Sequence, residues 1–205
     1  MFTGIVQAIG KIQACQKQDG DVRLQLACGN LPLDGVVEGD SIAVNGVCLT
    51  VQQLCEDGFI ADVSRETLSL TTLGELSSGS PVNLEKSLTL QTPMGGHWVS
   101  GHVDGLAEVL QREEDARSVR FSLRVPKVLA RYIAQKGSVT LDGTSLTVNT
   151  VEDDVFTVNI VPHTLQKTIM SFYTVGNKAN LEVDILARYL ERLLQTSVPG
   201  KPTIV

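Results

Sequence analysis

The chain has 205 residues, of which 42% are hydrophobic and 20% are charged, and its formal net charge is −6. This composition can bury one large core or two small ones, and it excludes a disordered chain. Because no basic stretch is concentrated and aromatic residues are only 4%, a nucleic-acid-binding protein is also disfavoured. No apolar run is long enough for a membrane span and the N-terminus lacks a secretory signal. We therefore expect a cytoplasmic protein that binds neither nucleic acid nor membrane.

The sequence matches itself without a gap when it is shifted by 97 residues. Three pairs of segments carry the match: 3–6 with 100–103, 46–51 with 143–148, and 83–85 with 180–182. A period of this length is typical of duplicated domains, because solenoid repeats are much shorter. The sequence therefore predicts a first domain over 1–88, a linker over 89–97 and a second domain over 98–184.

Each copy has the pattern of a mainly β domain. Short runs rich in branched residues, separated by Asp-Gly and Asn-Gly turns, predict strands in the first copy at 22–27, 41–44, 50–54, 59–63 and 82–84. About six short strands in a unit of this size favour a small closed barrel, since closure removes exposed strand edges. Two β-sandwiches are the alternative. One short helix is predicted in each copy, over 127–135 in the second and with a weaker pattern in the first.

The pattern changes after the second copy. Apolar residues then have the spacing of an amphipathic helix over 185–195, namely Leu186, Tyr189, Leu190, Leu193 and Leu194. Asp184 stands at the N-cap position of this helix. Because the first copy has no counterpart, the apolar stripe either packs on its own barrel or joins chains to one another. Residues 196–205 contain two prolines and a glycine and are predicted to form a flexible tail.

Cys48 is the first candidate for chemistry. It follows an Asn-Gly turn, and it is either a nucleophile or weak acid or else a buried structural thiol. The matching residue in the second copy is Ser145, so a small polar group recurs at this position. Thr50 and Thr147 add hydroxyls two residues further on, which places them on the same strand face.

The histidines do not have the spacing of a metal site. His97 and His102 are five residues apart, which places them on opposite faces of a strand, and no C-x-x-C pair is present. We therefore predict no metal. His102 replaces Ile5 of the first copy and His163 replaces Glu66, so each is either a surface histidine or a point where two sites have diverged. The lack of a glycine-rich phosphate loop disfavours a nucleotide cofactor.

Four motifs resemble the riboflavin synthase family of the α-chain type, which also contains lumazine proteins. They lie at 1–6, 45–51, 95–105 and 142–148, and the resemblance extends from Met1 to about Gln195. It implies two homologous six-stranded Greek-key barrels and a C-terminal α-helix that joins three chains into a homotrimer. Each barrel would bind one molecule of 6,7-dimethyl-8-ribityllumazine.

The activity that the resemblance implies is a dismutation. A four-carbon unit passes from one lumazine to the other, which gives riboflavin and 5-amino-6-(D-ribitylamino)uracil without a metal or an external cofactor. The alternative is a non-catalytic antenna or storage protein for the same ligands. A lumazine synthase capsid is a further candidate partner. Since the linker and the final helix do not bring both barrel mouths together, we expect the site to form between the first barrel of one subunit and the second barrel of another.

The resemblance also implies site residues. Ser41 and Cys48 match a polar pair in the first barrel, His102 and Asp184 match candidate acid–base groups in the second, and Phe2 matches an N-terminal aromatic residue needed for activity. Ligand contacts are expected in the first barrel at Gly4, Ile5, Val6, Leu49, Thr50, Asp62, Val63, Ser64, Arg65, Glu66 and Thr67. In the second barrel they are expected at Gly101, Val103, Lys136, Ser145, Leu146, Thr147, Ile160, Val161, Pro162, His163, Thr164 and Leu165. Val47 departs from the family, which often has cysteine there.

Overall fold

The structure is a computed structural model that describes residues 1–196. The final helix includes Thr196, and the rest of the predicted flexible tail, residues 197–205, lies outside the described residues. Among residues 1–196 no helix has the length and apolar character needed to cross a membrane.

The first domain is one seven-stranded sheet that curls into a half-barrel. Its strands are β1 (Ala8–Gln18), β2 (Asp21–Ala27), β3 (Ser41–Val44), β4 (Val47–Thr50), β5 (Gln53–Leu54), β6 (Gly58–Val63) and β7 (Pro81–Lys86), in the spatial order β4-β3-β7-β1-β2-β6-β5. Alternate residues of each strand enter the core, as Leu24 and Leu26 do from β2. The predicted mainly β fold is thus confirmed.

The second domain is a closed six-stranded barrel. Its strands are β8 (Gly105–Asp115), β9 (Ser118–Arg124), β10 (Ser138–Leu141), β11 (Thr144–Glu152), β12 (Val155–Ile160) and β13 (Lys178–Val183), in the order β10-β11-β12-β9-β8-β13. The long strand β11 pairs with both β10 and β12, which closes the barrel. In the first domain the equivalent stretch is broken at Val51 and Gln52 into β4 and β5. The single strand predicted over 50–54 is therefore wrong in its bounds.

Two short helices occupy equivalent places in the repeats and were not among the predicted elements. Helix α1 (Arg65–Leu70) follows β6, and its N-cap Ser64 accepts a hydrogen bond from the Thr67 amide. Helix α3 (Pro162–Lys167) follows β12 and begins with a proline, whose missing N–H costs nothing there.

The predicted helix over 127–135 is helical only as α2 (Lys127–Ala130), after which the chain continues in turns.

The final helix α4 (Ile185–Thr196) confirms the predicted helix. It contacts its own barrel through polar groups, since Glu191 bonds Arg131 and the Tyr132 hydroxyl, and Arg188 pairs with Asp104. The apolar stripe does not pack on this barrel. Its members are 59–68% exposed: Leu186, Tyr189, Leu190, Leu193 and Leu194.

The two domains pack together at their Asn-Gly and Asp-Gly turns. Gly46 and Gly143 both have positive φ, of 75° and 76°. A Cβ on Gly46 would lie 2.6 Å from the Gly143 backbone nitrogen, so the turns can approach only without side chains. The repeated glycine of the two motifs is therefore a requirement of domain packing.

Candidate functional site

Each domain begins with a loop held by a buried glutamate. The backbone and hydroxyl of Thr3 donate to Glu85 at 2.7 and 2.6 Å, and the Gly4 amide donates to it at 3.0 Å. Glu182 holds the start of the second domain in the same way. Burial raises the pKa of the Glu85 carboxyl, and these three donors oppose that rise. Hydrogen bonds within the protein thus hold both loops in place.

Each loop also contacts the opposite barrel. The Cys48 amide donates to the Gly101 carbonyl at 2.9 Å, and the Ser145 amide donates to the Gly4 carbonyl at 2.7 Å. Gly101 has a φ of 81°, and a Cβ there would lie 2.7 Å from Cys48 Cβ and 2.9 Å from Phe2 Cε2. The glycines of the paired motifs at 3–6 and 100–103 therefore allow the two domains to approach each other closely at these loops.

The first site is the outer face of β3 and β4. Ser41 pairs with Thr50, and Ala43 pairs with Cys48, so all four side chains lie on one face of the sheet. The residues between them enter the barrel core, as Leu49 does. Cys48 packs against a buried apolar cluster that contains Phe2 and Ala43. The structure thus brings Phe2, Ser41 and Cys48 together on the outer face of the barrel wall.

The second site is the equivalent face of β10 and β11. Ser138 pairs with Thr147, and Thr140 pairs with Ser145. Hydroxyls therefore occupy all four positions, where the first site has an alanine and a thiol.

His97 lies at the second candidate site, which its spacing in the sequence did not indicate. Its ring Nδ1 is 2.7 Å from the Ser145 hydroxyl and its Nε2 is 3.2 Å from the Thr140 hydroxyl. Burial lowers the pKa of His97, and the negative charge of Asp184 opposes this. A shift of 97 residues places its counterpart before Met1, so comparison of the two copies gave no signal for it.

His102 and Asp184 lie where the second barrel meets α4. The exposed His102 lines a cleft of about 290 Å³ that also includes Val183 and Ile185, the neighbours of Asp184. Asp184 accepts a hydrogen bond from the Leu186 amide at 3.0 Å, as the predicted N-cap should. Across residues 1–196, no hydrogen bond joins the side chain of either residue to Cys48 or Ser41.

The predicted ligand residues from 62 to 67 lie at the end of β6 and the start of α1. Ser64, Arg65 and Glu66 are exposed there at the end of β6. The Asp62 carboxylate is already paired with Arg23, at 2.8 Å, and the hydrogen bond from this guanidinium lowers the pKa of Asp62. The backbone of Asp62 and the N-cap of α1 are therefore better placed to contact a ligand than the Asp62 carboxylate is.

In the second barrel, the predicted ligand residues from Ile160 to Leu165 span the end of β12 and the start of α3. Lys136 is exposed and has a φ of 65°, the left-handed region that side chains disfavour. The first copy has glycine at this position, Gly39, also with positive φ. A lysine kept at a strained position is an indication of function.

Another cleft, of about 630 Å³, lies on the first barrel and includes only Arg65 from the predicted set. Its walls include Leu24 and Leu76, and their counterparts Phe121 and Tyr173 pack edge to face in the second barrel. This cleft arises from smaller side chains in one copy, so we do not assign a shared ligand site to it. Among residues 1–196, no three His, Cys, Asp or Glu side chains are grouped to hold a metal ion.

The repeated loop-and-strand sites define a protein with two homologous small-molecule-binding domains. In agreement, the chain matches the lumazine binding domain twice, over residues 3–87 and 100–184. It is 48% identical over 199 residues to the riboflavin synthase of Photobacterium phosphoreum, which covers 97% of this chain and 91% of that protein. It is 41% identical over 201 residues to the riboflavin synthase of Bacillus subtilis (strain 168), with 98% and 93% covered. The chain belongs to the riboflavin synthase family, as the resemblance implied.

Solved structures agree with this assignment. A crystal structure of LumP complexed with 6,7-dimethyl-8-(1'-D-ribityl) lumazine is 27% identical, with a TM-score of 0.80, and covers 89% of this chain and 99% of that one. A structure of LumP complexed with riboflavin has the same identity and coverage and a TM-score of 0.83.

Proposed function

We propose that the chain forms riboflavin and 5-amino-6-(D-ribitylamino)uracil from two molecules of 6,7-dimethyl-8-ribityllumazine. The observation that carries this is the pair of equivalent sites in one chain, in which the Cys48 amide meets the Gly101 carbonyl and the Ser145 amide meets the Gly4 carbonyl. A reaction between two identical substrates requires two similar binding sites. The riboflavin synthases of Photobacterium phosphoreum and Bacillus subtilis support the same activity.

The reaction requires the protein to orient two substrates, move protons and supply a nucleophile. One substrate gives four carbons and the other receives them, so the two products together contain every atom of the two substrates. No external oxidant or reductant is therefore needed. The methyl group at C7 is acidic because the ring delocalises the resulting anion, so the protein must orient the rings, move protons and supply a nucleophile.

Side chains at the first site fit these roles. Ser41 and Cys48 share one face of β3 and β4, and each is half-buried, so each can contact a ligand while shielded from bulk water. The thiol is the candidate nucleophile, and Ser41 is a hydrogen-bonding group beside it. Phe2 is fully buried against this face and shapes it.

At the second barrel, His102 and Asp184 are the proposed acid–base pair. Both lie beside the start of α4, and His102 is exposed to solvent on this surface. The exposed residues at the ends of β6 and β12, together with Lys136, would bind the ribityl chain and the pyrimidine edge.

We also propose that three chains associate through α4 and that the active site forms between subunits. Leu186, Tyr189, Leu190 and Leu194 are at least 59% exposed, and a second copy of the same stripe is a suitable cover for them. Asp184 precedes α4 directly, so the groups that we assign to acid–base chemistry lie beside the proposed interface.

The four cysteines support a reducing cytoplasmic location. Cys15, Cys28, Cys48 and Cys55 are all free thiols in the structure. Cys28 is buried, which raises its pKa to about 11 and makes it a core residue rather than a nucleophile.

The direct test is to incubate the purified protein with 6,7-dimethyl-8-ribityllumazine and follow riboflavin by absorbance. We expect one riboflavin for every two lumazines consumed. A Cys48→Ala protein purified in parallel controls for riboflavin synthase from the expression host. Tight binding of the lumazine without any product would contradict the proposal and favour the antenna or storage protein.

A further inference from the structure

The two sites are built alike but are chemically unequal. Two positions carry the same hydroxyl in both copies, Ser41 with Ser138 and Thr50 with Thr147. The other two positions differ together: Ala43 and Cys48 in the first site are Thr140 and Ser145 in the second. An apolar side chain and a thiol are thus replaced by two hydroxyls that lie directly opposite each other across β10 and β11.

The side chains that pack against these two positions are likewise apolar in the first site and polar in the second. In the first site, Phe2, Ala43 and Val99 form a buried apolar cluster. In the second site, the His97 ring lies between the Ser145 and Thr140 hydroxyls. An apolar residue thus meets an alanine in one copy, while an imidazole meets a threonine in the other. Such matched changes indicate that His97 and its hydroxyl partners form one unit.

The backbone holds His97 in place. Its amide donates to the Thr3 carbonyl at 3.1 Å. The preceding Gly96 lies so close that a Cβ would be 3.0 Å from Ser145 Cβ and would also collide with the Thr3 carbonyl. The linker can approach the second site only because this residue is glycine. The imidazole is therefore positioned by its own loop and is not a surface side chain resting on the barrel.

Both ring nitrogens of His97 have hydroxyl partners. A neutral imidazole has one donor and one acceptor nitrogen, so one hydroxyl must donate to the ring while the other accepts from it. Burial favours this neutral form, and Asp184 is the charged group whose field opposes it. The Ser145 hydroxyl is therefore held by the imidazole ring, whereas the Cys48 thiol has no imidazole partner in the hydrogen bonds of residues 1–196.

We propose that His97 is a positioning residue of the second site, which orients the Ser145 hydroxyl and thereby makes the two homologous sites unequal. This inference rests on the proposed function. Two identical lumazines must take different roles, one giving and one receiving the four carbons. A fixed hydroxyl at one site and a thiol at the other provide that difference within a chain whose two domains are otherwise repeats.

Two substitutions separate the contacts of His97. In His97→Asn the side-chain amide falls near the position of Nδ1, so it keeps a partner for Ser145 and loses Thr140. In His97→Gln the amide falls near Nε2, so it keeps a partner for Thr140 and loses Ser145. We expect His97→Gln to lower kcat about 10- to 100-fold with a smaller change in KM, and His97→Asn to restore much of that loss. Equal losses in the two variants would overturn the proposal.

A double-mutant cycle with Ser145→Ala tests whether His97 acts through this hydroxyl. Once the hydroxyl is absent, His97→Gln should lower kcat no further. Additive losses would show that His97 has only a structural role, and the proposal would be wrong. Thermal unfolding of each variant should show an unchanged midpoint within a few degrees.

A binding measurement keeps this test separate from the proposed function. Titration of the full chain with 6,7-dimethyl-8-ribityllumazine should show two sites of different affinity, of which His97→Gln changes only one. If wild-type protein bound the lumazine in this way but formed no riboflavin, the proposed function would fail while the inequality of the sites stood. Two equal sites in the wild-type protein, or equal changes at both sites in the variant, would overturn the inference.

Discussion

Asn83 and Asn180, which lie 97 positions apart, make equivalent hydrogen bonds across the domain interface, each to the backbone of the other domain. Asn83 Nδ2 donates to the Asp142 carbonyl at 2.8 Å, and Asn180 Nδ2 donates to the Asn45 carbonyl at 2.8 Å. Their amide oxygens accept from the backbone of the opposite domain at 2.8 and 2.7 Å. Both residues are buried, so loss of either amide would leave backbone groups without partners. The duplication in the sequence is therefore a pseudo-twofold interface in the molecule.

This interface departs from symmetry at Asp142, where the first copy has Asn45. Asp142 accepts hydrogen bonds from the Tyr173 hydroxyl and the backbone N–H of Asn180, but burial outweighs them and raises its pKa to about 7. The folded protein therefore holds this proton at pH values where the unfolded chain has released it. The stability from this group is full below pH 4 or so and is lost as the pH rises to about 7.

We expect Asp142→Asn to remove this contribution to the pH dependence of unfolding. The free energy of unfolding of the wild-type protein should decline between about pH 4 and 7 by up to roughly 1.4 kcal/mol per pH unit from this one proton. Urea unfolding at a series of pH values measures the slope. The reverse change Asn45→Asp is a matched control that should create such a decline in the first domain. An identical slope in Asp142→Asn and wild-type protein would show that Asp142 does not titrate in this range.

A second prediction concerns the strained Lys136. In Lys136→Gly, relief of the left-handed conformation is offset by the greater entropy of glycine in the unfolded chain, so stability should change by less than about 1 kcal/mol. Lumazine affinity at the second site should fall. Gly39→Lys is the control: no atom lies within 4 Å of an added Cβ, yet the positive φ of 95° should cost on the order of 1 kcal/mol. Unchanged lumazine affinity in Lys136→Gly would remove this lysine from the site.

A third prediction concerns the thiol of the first site. Cys48→Ser should lower kcat about tenfold or more while lumazine still binds, since serine keeps the size but not the nucleophilicity of cysteine. Steady-state kinetics and ligand titration separate the two effects. The exposed Cys15 serves as the control, because Cys15→Ser should leave kcat unchanged. Turnover at the parent rate would exclude a thiol-specific role, and loss of binding together with activity would indicate a packing role.

The apolar stripe of α4 provides a fourth prediction. Replacing Leu190 and Leu194 with glutamate should give a folded monomer, because charges on this face cannot be buried between subunits. Sedimentation velocity measures the association state, and circular dichroism measures the folding. Leu90→Glu, at a fully exposed linker residue, is the control and should leave the wild-type assembly intact. A trimer that persisted in the double variant would show that α4 does not hold the subunits together.

The sequence predicts the features that repeat or that have a long regular pattern. The two β domains and α4 follow from periodicity and duplication, and the glycines of the turns mark the interface. Helices α1 and α3 were not predicted because each has only six residues, too few to show a helical period. The break between β4 and β5 has no counterpart in β11 of the second copy, so the duplication did not indicate it.

The site was predictable in part. Resemblance named Ser41, Cys48 and Phe2, and the structure places them on one face. The resemblance did not indicate that the Cys48 amide donates to the Gly101 carbonyl, since that contact depends on how the two domains pack together. His97 was missed because only the tertiary fold lays the linker over Ser145.

Mixing two inactive variants is the most direct test of an active site between subunits. The Gly101 carbonyl already bonds the Cys48 amide of its own chain, so a site within one chain is the clear alternative to a site between subunits. Cys48→Ala and His102→Gln proteins would be combined under conditions that exchange subunits, and riboflavin formation would be measured before and after mixing. A site between the first barrel of one subunit and the second barrel of another predicts that some pairings contain both intact residues, so activity returns. If Cys48 and His102 act within one chain, every site keeps a defect, and a mixture as inactive as its parts would contradict a site between subunits.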